Sequence, residues 1–373
     1  MAKAVYVGVN SKARKMKKAY IGIGGKARKV KKMYIGVGGK ARLCYSAELE
    51  KVGMATALST ARYDMRAATV GKYALFAGGY ISKSSFGYSV SSSVDAYNTS
   101  LTKSTPTELS CKRCGHAAAS VGGYALFAGG ASSHNFLGYG TLVSSVDAYD
   151  ASLTRSAAHI IGATVAIGGA AVGNYALFAG GTVDGIMTKD TVTSDVLAYD
   201  PSLTFTTAPL LSVARANVKG ASAVNYALFA GGRAGSFCTT VDAYNASLTR
   251  TTATALSSTK NNSAAATVGN HAIFVGNTAS ADIYDASLTK TSAAILSTAR
   301  NRLAATTVGD YAIFSGGGVA DFCDASLTRS SIGTSMTGYD MGAATIGDYA
   351  LFAGGHSGEK SDTAYDSVEV YTA

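Results

Sequence analysis

Tryptophan is absent from this 373-residue chain, and cysteine and histidine number five each. The cysteines (Cys44, Cys111, Cys114, Cys238, Cys323) are odd in number and scattered, which argues for reduced thiols made in a cytoplasm. Cys111 and Cys114 form a single Cys-x-x-Cys with no second pair, so a zinc site there would need two distant ligands. The histidines (His116, His134, His159, His271, His356) fall at different places along the chain. No serine sits in a nucleophile-elbow context. No catalytic constellation, cofactor or metal is therefore expected. Residues 1–20 hold no apolar run of signal-peptide length. The nearly apolar stretch 157–173 contains His159 and several glycines and is too short for a membrane span.

What is present is repetition. Seven near-copies of one phrase begin at Tyr73, Tyr124, Tyr175, Tyr226, His271, Tyr311 and Tyr349, the first reading Tyr73-Ala74-Leu75-Phe76-Ala77-Gly78-Gly79. Spacings of roughly 40 to 50 residues signal a solenoid or propeller, since one repeat cannot bury its apolar face without neighbours. A second element follows each phrase, as in Val94-Asp95-Ala96-Tyr97-Asn98-Thr99-Ser100-Leu101-Thr102, and a third precedes it, as in Ala67-Ala68-Thr69-Val70-Gly71. Short Val, Ala, Tyr and Phe runs broken by Gly, Asn and Ser are strands and turns. Four strands per repeat, seven times, predict an all-β, seven-bladed β-propeller.

The phrase and its surroundings resemble the kelch repeat over about residues 45 to 373. That resemblance rests on paired glycines after an apolar strand (Gly78-Gly79), a strand ending in Tyr149-Asp150 and a basic residue, Arg62, before the innermost strand. The kelch tryptophan is missing. Leu101, Leu153, Leu203, Leu248, Leu288 and Leu327 stand near its place, so lighter packing between blades is expected.

The last copy ends at Ala373 without a Ser-Leu-Thr stretch, hence without a fourth strand. Residues 45–59 match the corresponding part of another repeat, Tyr244 to Ser257, so they are expected to complete blade seven and remove an open edge. Residues 1–44 then form a separate unit. In it Tyr6, Tyr20 and Tyr34, Lys12, Lys26 and Lys40, and Arg14, Arg28 and Arg42 recur every 14 residues. Alternation such as Ile21 and Ile23 about Gly22 predicts a narrow β-ribbon, too poor in apolar side chains for its own core.

Charge is segregated. Residues 1–50 hold 13 of the 33 Lys and Arg but 2 of the 23 Asp and Glu, a net of +11, which leaves −1 for the rest. Solubility of a two-sided ribbon, docking on an acidic partner and nucleic-acid binding all fit this charge, but no recognised nucleic-acid module accompanies it. Lys17, Lys18, Lys31 and Lys32 are the anchor candidates.

Two ring features suggest binding. Segments after the paired glycines are long in blades seven, one, two and three, and carry Tyr80, Phe86, Tyr88, Phe136, Tyr139 and Tyr365, aromatic loop residues suited to ligand contact. Arg62, Arg113, Arg215, Lys260 and Arg300 form a basic set at the expected channel mouth, able either to hold an anion or to donate to loop carbonyls. The N-terminal repeats resemble those of tail- and virion-associated proteins of bacteriophages and prophages of Gram-positive bacteria. That resemblance implies a display protein incorporated in a virion. Virion or tail proteins and sister copies would be partners through residues 1–44, and a host-surface glycan or protein would be the ligand. An intracellular kelch-type scaffold and a carbohydrate-processing enzyme are the alternatives; no membrane is implied.

Overall fold

The computed structural model describes residues 6–9, 12–15, 19–23, 26–30, 32–37, 40–46, 48–84, 87–135, 138–159, 161–162, 164–184, 191–260, 263–358 and 363–373. Residues 66 to 373, joined by one earlier strand, form seven four-stranded antiparallel sheets, the blades of a β-propeller. Blade one runs outward through Arg66–Val70, Tyr73–Ala77, Val94–Asn98 and Lys103–Ser104. The other innermost strands are Ala117–Val121, Gly168–Val172, Lys219–Ala223, Ala264–Val268, Ala304–Val308 and Gly342–Ile346.

The repeated phrase is the second strand of each blade, and nearly all of its side chains are buried. Burial on both faces explains why the phrase reads as an unbroken apolar run rather than an alternating one. Its phenylalanine meets the third-strand tyrosine edge to face, as in Phe76–Tyr97 at 5.9 Å and Phe352–Tyr371 at 5.7 Å between ring centroids. Phe127 and Tyr149 of blade two pack with Val70, Leu75 and Val94 of blade one. This pair occupies the space between blades in a chain without tryptophan.

The six leucines expected there do something else as well. Each has positive φ, from 56° to 66°, in the turn before the fourth strand, with its side chain partly buried against the blade clusters. The preceding Asn or Asp shapes that turn: Asp150 Oδ1 accepts from the N–H groups of Ser152 and Thr154, both at 2.9 Å. At the other end of the second strand, Gly79 has φ +97°, and a Cβ there would lie 2.4 Å from the Tyr63 carbonyl oxygen. Only glycine fits that approach.

Around the channel the inner strands carry Ala68, Ala119, Ala170, Ala221, Ala266, Thr306 and Ala344. Hydroxyls one residue further on stitch blade to blade. Ser120 Oγ donates to the Thr69 carbonyl (2.7 Å), Thr69 Oγ1 to Thr345 (2.9 Å) and Thr345 Oγ1 to Thr307. Thr307 Oγ1 donates to the Thr267 carbonyl, Thr267 Oγ1 to Ser222 (2.6 Å) and Ser222 Oγ to Ala171 (2.6 Å).

The ring closes as expected. Glu50–Met54 pairs antiparallel with Val368–Thr372, with a register shift between Val370 and Tyr371. Val52 and Met54 are each 51 % exposed, so buried Leu49 and Leu58 supply the apolar anchorage of this segment.

The N-terminal repeats form three hairpins, one per 14-residue unit: Tyr6–Val9 with Lys12–Lys15, Tyr20–Ile23 with Lys26–Lys29, and Lys32–Val37 with Lys40–Ser46. The third continues two residues past the expected boundary at 44, so Tyr45 pairs with Met33 rather than joining blade seven. Lys17, Lys18 and Lys31 lie outside the described residues, and Lys32 begins the third hairpin.

Candidate functional site at the channel mouth

The expected basic ring is not free to meet a ligand. Arg62, Arg113, Arg215 and Lys260 are buried, and Arg300 nearly so. Each pairs with a third-strand aspartate: Arg62 with Asp95 (2.8 Å), Arg113 with Asp147 (2.6 Å), Arg215 with Asp242 (2.9 Å), Lys260 with Asp282 (3.4 Å) and Arg300 with Asp321. Arg62 also donates to the Phe76 carbonyl (3.0 Å) and Arg215 to those of Phe229 (3.1 Å) and Gly231 (2.8 Å). A guanidinium with several donors neutralises the aspartate and satisfies strand-end carbonyls together. Of the two roles open to these cations in the sequence, donation to carbonyls is the one seen, and the partner aspartate is the part that sequence did not show.

A second cation from the outer strand reaches the same aspartates, as Arg155 reaches Asp147 (2.8 Å) and Arg250 reaches Asp242 (3.0 Å). A serine caps them, as Ser110 does Asp147 through N–H and Oγ. Blade three replaces all four members at once, with Ile161, Thr164, Leu197 and Phe205 at the matching positions. Ile161, Leu197 and Phe205 join one hydrophobic cluster. Blade seven has Gly338 in place of the arginine and Glu369 in place of the aspartate. Burial works against the Glu369 carboxylate, but Lys51 (2.7 Å), the Ser335 N–H and Tyr371 Oη outweigh it and hold its pKa below the ordinary range. The Tyr365 ring lies against Gly338, where a Cβ would stand 3.1 Å from Tyr365 Cδ2.

The mouth itself is built two residues after each basic position. There Asp64, Gly115, Ala166, Asn217, Arg302 and Asp340 all have φ between 50° and 61°. Their backbones form a rim. Asp64 N–H donates to Asp340 O (2.7 Å), Asp340 to Arg302 (3.0 Å), Asn217 to Ala166 (2.7 Å) and Ala166 to Gly115 (2.7 Å). Blade five's counterpart, Asn262, lies outside the described residues. Sequence reading missed this rim because its members share a backbone conformation and no side-chain chemistry.

Within the rim lies a cavity of about 400 Å³. Tyr80 and Tyr88 line it, as do His134, Arg233 and Phe237. Tyr80 Oη and His134 Nδ1 are 2.7 Å apart, and Tyr88 stacks on His134 with centroids at 4.8 Å. Here the hairpins of blades one and two merge into one sheet, through Tyr88 opposite His134. Tyr139 pairs with His134 through its backbone. Phe86 and Phe136 lie outside the described residues. Thus the structure brings Tyr80 and Tyr88 to the mouth and sets Tyr365 against Gly338.

Charge at the mouth is mixed. Arg66 pairs with Asp64 (2.7 Å), Arg302 with Asp340 (3.0 Å), and His356 also contacts Asp340 (3.1 Å). Lys219 stands half-buried in the lining. Burial and the Arg66 charge lower its pKa, with Asp64 and Asp340 opposing.

Cys111 and Cys114 point to different partners. Cys114 is buried with its thiol 3.4 Å from the Ala131 carbonyl and its pKa pushed up to about 12 by burial, whereas Cys111 lies by Ser145. Among the described residues no three His, Cys, Asp or Glu side chains gather as a metal site. No helix among the described residues is long and apolar enough to cross a membrane.

The solved structure titled "Structure of YjhT" is similar to this chain, with 12% identity and a TM-score of 0.55. The match covers 86% of this chain and 99% of that one. At that identity the likeness shows the fold alone. No family profile matches the sequence, and no curated protein does.

Proposed function

We propose that this chain is a display protein of a bacteriophage virion or tail, its ring binding a ligand through the loop-bearing face and its basic hairpins attaching it to the particle. The propeller fold supports a ligand-binding or protein-interaction role in general. The finer reading is carried by the division of the chain: residues 1–50, with three near-identical hairpins, hold a net charge of +11 beside a nearly neutral remainder. In these hairpins Ile21 is 53 % and Tyr34 57 % exposed. Two-stranded hairpins with uncovered apolar side chains gain little stability alone, which favours docking on another surface.

The test is co-sedimentation of purified phage particles with the full chain and with a chain starting at residue 45. The full chain is expected to pellet with particles, and increasingly less so as salt rises, because exposed charges are screened within about 10 Å at 0.1 M. The shortened chain is expected to stay in solution. Equal pelleting of both chains would contradict the anchor. Steep, salt-dependent binding of the hairpins to DNA in place of particles would replace it with the nucleic-acid reading.

A further inference from the structure

Lys219 has a peculiar position. It is the first residue of the fourth blade's innermost strand, where blades two, three, five, six and seven have Ala117, Gly168, Ala264, Ala304 and Gly342. Blade one alone matches it with a cation, Arg66. Small residues at the other five positions leave the mouth its room, and two long cations project from the remaining two strand ends.

The two carboxylates of the lining are already engaged. Asp64 is held by Arg66, and Asp340 by Arg302 and His356. The Lys219 backbone pairs with Ala230 in the sheet, but its ammonium makes no hydrogen bond or ion pair with any described residue. Arg233, the fourth cation of the lining, contacts the Gly235 carbonyl (3.1 Å) and the Phe237 ring (5.8 Å to its centroid). The cavity therefore holds four cationic side chains against two carboxylates. A half-buried ammonium with no ion pair of its own, in reach only of the fields of Asp64 and Asp340, is costly unless an anion joins it. Beside these cations stand rings. Tyr63, Tyr80 and Tyr88 form a connected group with centroids 5.2 Å apart in sequence, and Phe237 is 44 % exposed on the lining. An exposed ring on a rigid wall offers a face to a flat apolar group.

We infer that the channel mouth binds a compact anion, a carboxylate or phosphate carried on a flat apolar group, with its charge on Lys219 and its apolar part against Phe237. This deepens the reading of the loop-bearing face as the ligand-binding face and rests on it. Arg66 and Arg302 are balanced by their aspartates, so the excess positive charge of the lining rests on Lys219 and Arg233. In a concave site such an excess concentrates anions.

The experiment uses the full chain and three probes of similar size: benzoate, phenyl phosphate and neutral benzyl alcohol. Affinity is read by ligand-observed NMR titration at low ionic strength. At least one anion is expected to bind at least tenfold more tightly than benzyl alcohol, and the two anions separate carboxylate from phosphate preference. Lys219→Gln is expected to lose at least tenfold in that anion's affinity while melting at the same temperature. Phe237→Ala, at an exposed position, is expected to weaken both anion and alcohol. Equal affinities for anion and alcohol would overturn the proposal, and so would unchanged anion binding by a folded Lys219→Gln or Lys219→Met variant. Particle co-sedimentation of the Lys219→Gln chain keeps the two readings apart. Retained pelleting with lost probe binding supports the mouth site. Absence of probe binding by the unsubstituted chain, beside its normal pelleting, sinks this inference and leaves the anchor standing.

Discussion

His116 is the residue whose chemistry fits its surroundings least. It is fully buried, and neither ring nitrogen has a partner in hydrogen-bond geometry. Matching positions in the other blades are Met65, Ile167, Val218, Ser263, Leu303 and Met341. Burial, then the charges of Arg66 and Arg113, hold its pKa well below the ordinary value, weakly opposed by the Ala77 carbonyl. Its imidazole is thus neutral in the folded chain. The unfolded chain takes up a proton near pH 6.5, so this residue's contribution is fully present above that pH and is lost as pH falls toward the folded pKa. The linkage therefore destabilises the folded chain as pH falls from 7.5 to 5. His116→Met is expected to remove that loss, read as urea midpoints at the two pH values. An identical pH dependence in both proteins would refute it. The sequence showed only that the histidines scatter; burial decided this one's protonation.

Blades are where the repeat was most legible and its exceptions most instructive. Glycine pairs, Asn/Asp-x-Ser-Leu-Thr turns and apolar second strands gave strand order directly. The meaning of Arg62 or Arg113 needed the third dimension, because a period says which residues are equivalent but not which way they point. Blade three shows that the buried charge cluster can be exchanged as a unit. Asp147→Leu alone leaves Arg113 and Arg155 without their carboxylate and is expected to cost about 3–5 kcal/mol. Adding Ser110→Ile, Arg113→Thr and Arg155→Phe copies blade three's Ile161, Thr164, Leu197 and Phe205. The fourfold variant is expected to regain most of that loss in chemical unfolding, since well-packed apolar groups can replace a buried ion cluster at little cost. If the fourfold variant is no more stable than the single one, the blade-three arrangement depends on its own surroundings, such as the stacking of His159 on Phe205 at 4.5 Å.

At the scale of the molecule, three basic hairpins precede a ring of seven blades. The aromatic loops legible in the sequence proved to be only part of the mouth. Among the described residues its rim arises from six backbone turns spread over some 280 residues of chain, which only closure of the circle assembles. The segment around Glu50–Met54 completes the ring, and the hairpins before it are expected to be dispensable for folding. Removing the segment would expose the edge of Val368–Thr372, break the Lys51–Glu369 pair and delete buried Leu49 and Leu58. It would also take away the Thr56 carbonyl that accepts from Tyr97 Oη (2.7 Å) and the Ser59 cap on Asp95. Loss of two buried leucines alone is worth several kcal/mol, about 2–5 for each truncation to alanine. The deciding measurement is the melting temperature of chains starting at residues 1, 45 and 61. The account predicts nearly equal values for the first two and a large drop for the third. Equal melting of the chains starting at 45 and 61, or a comparable drop in both, would contradict it.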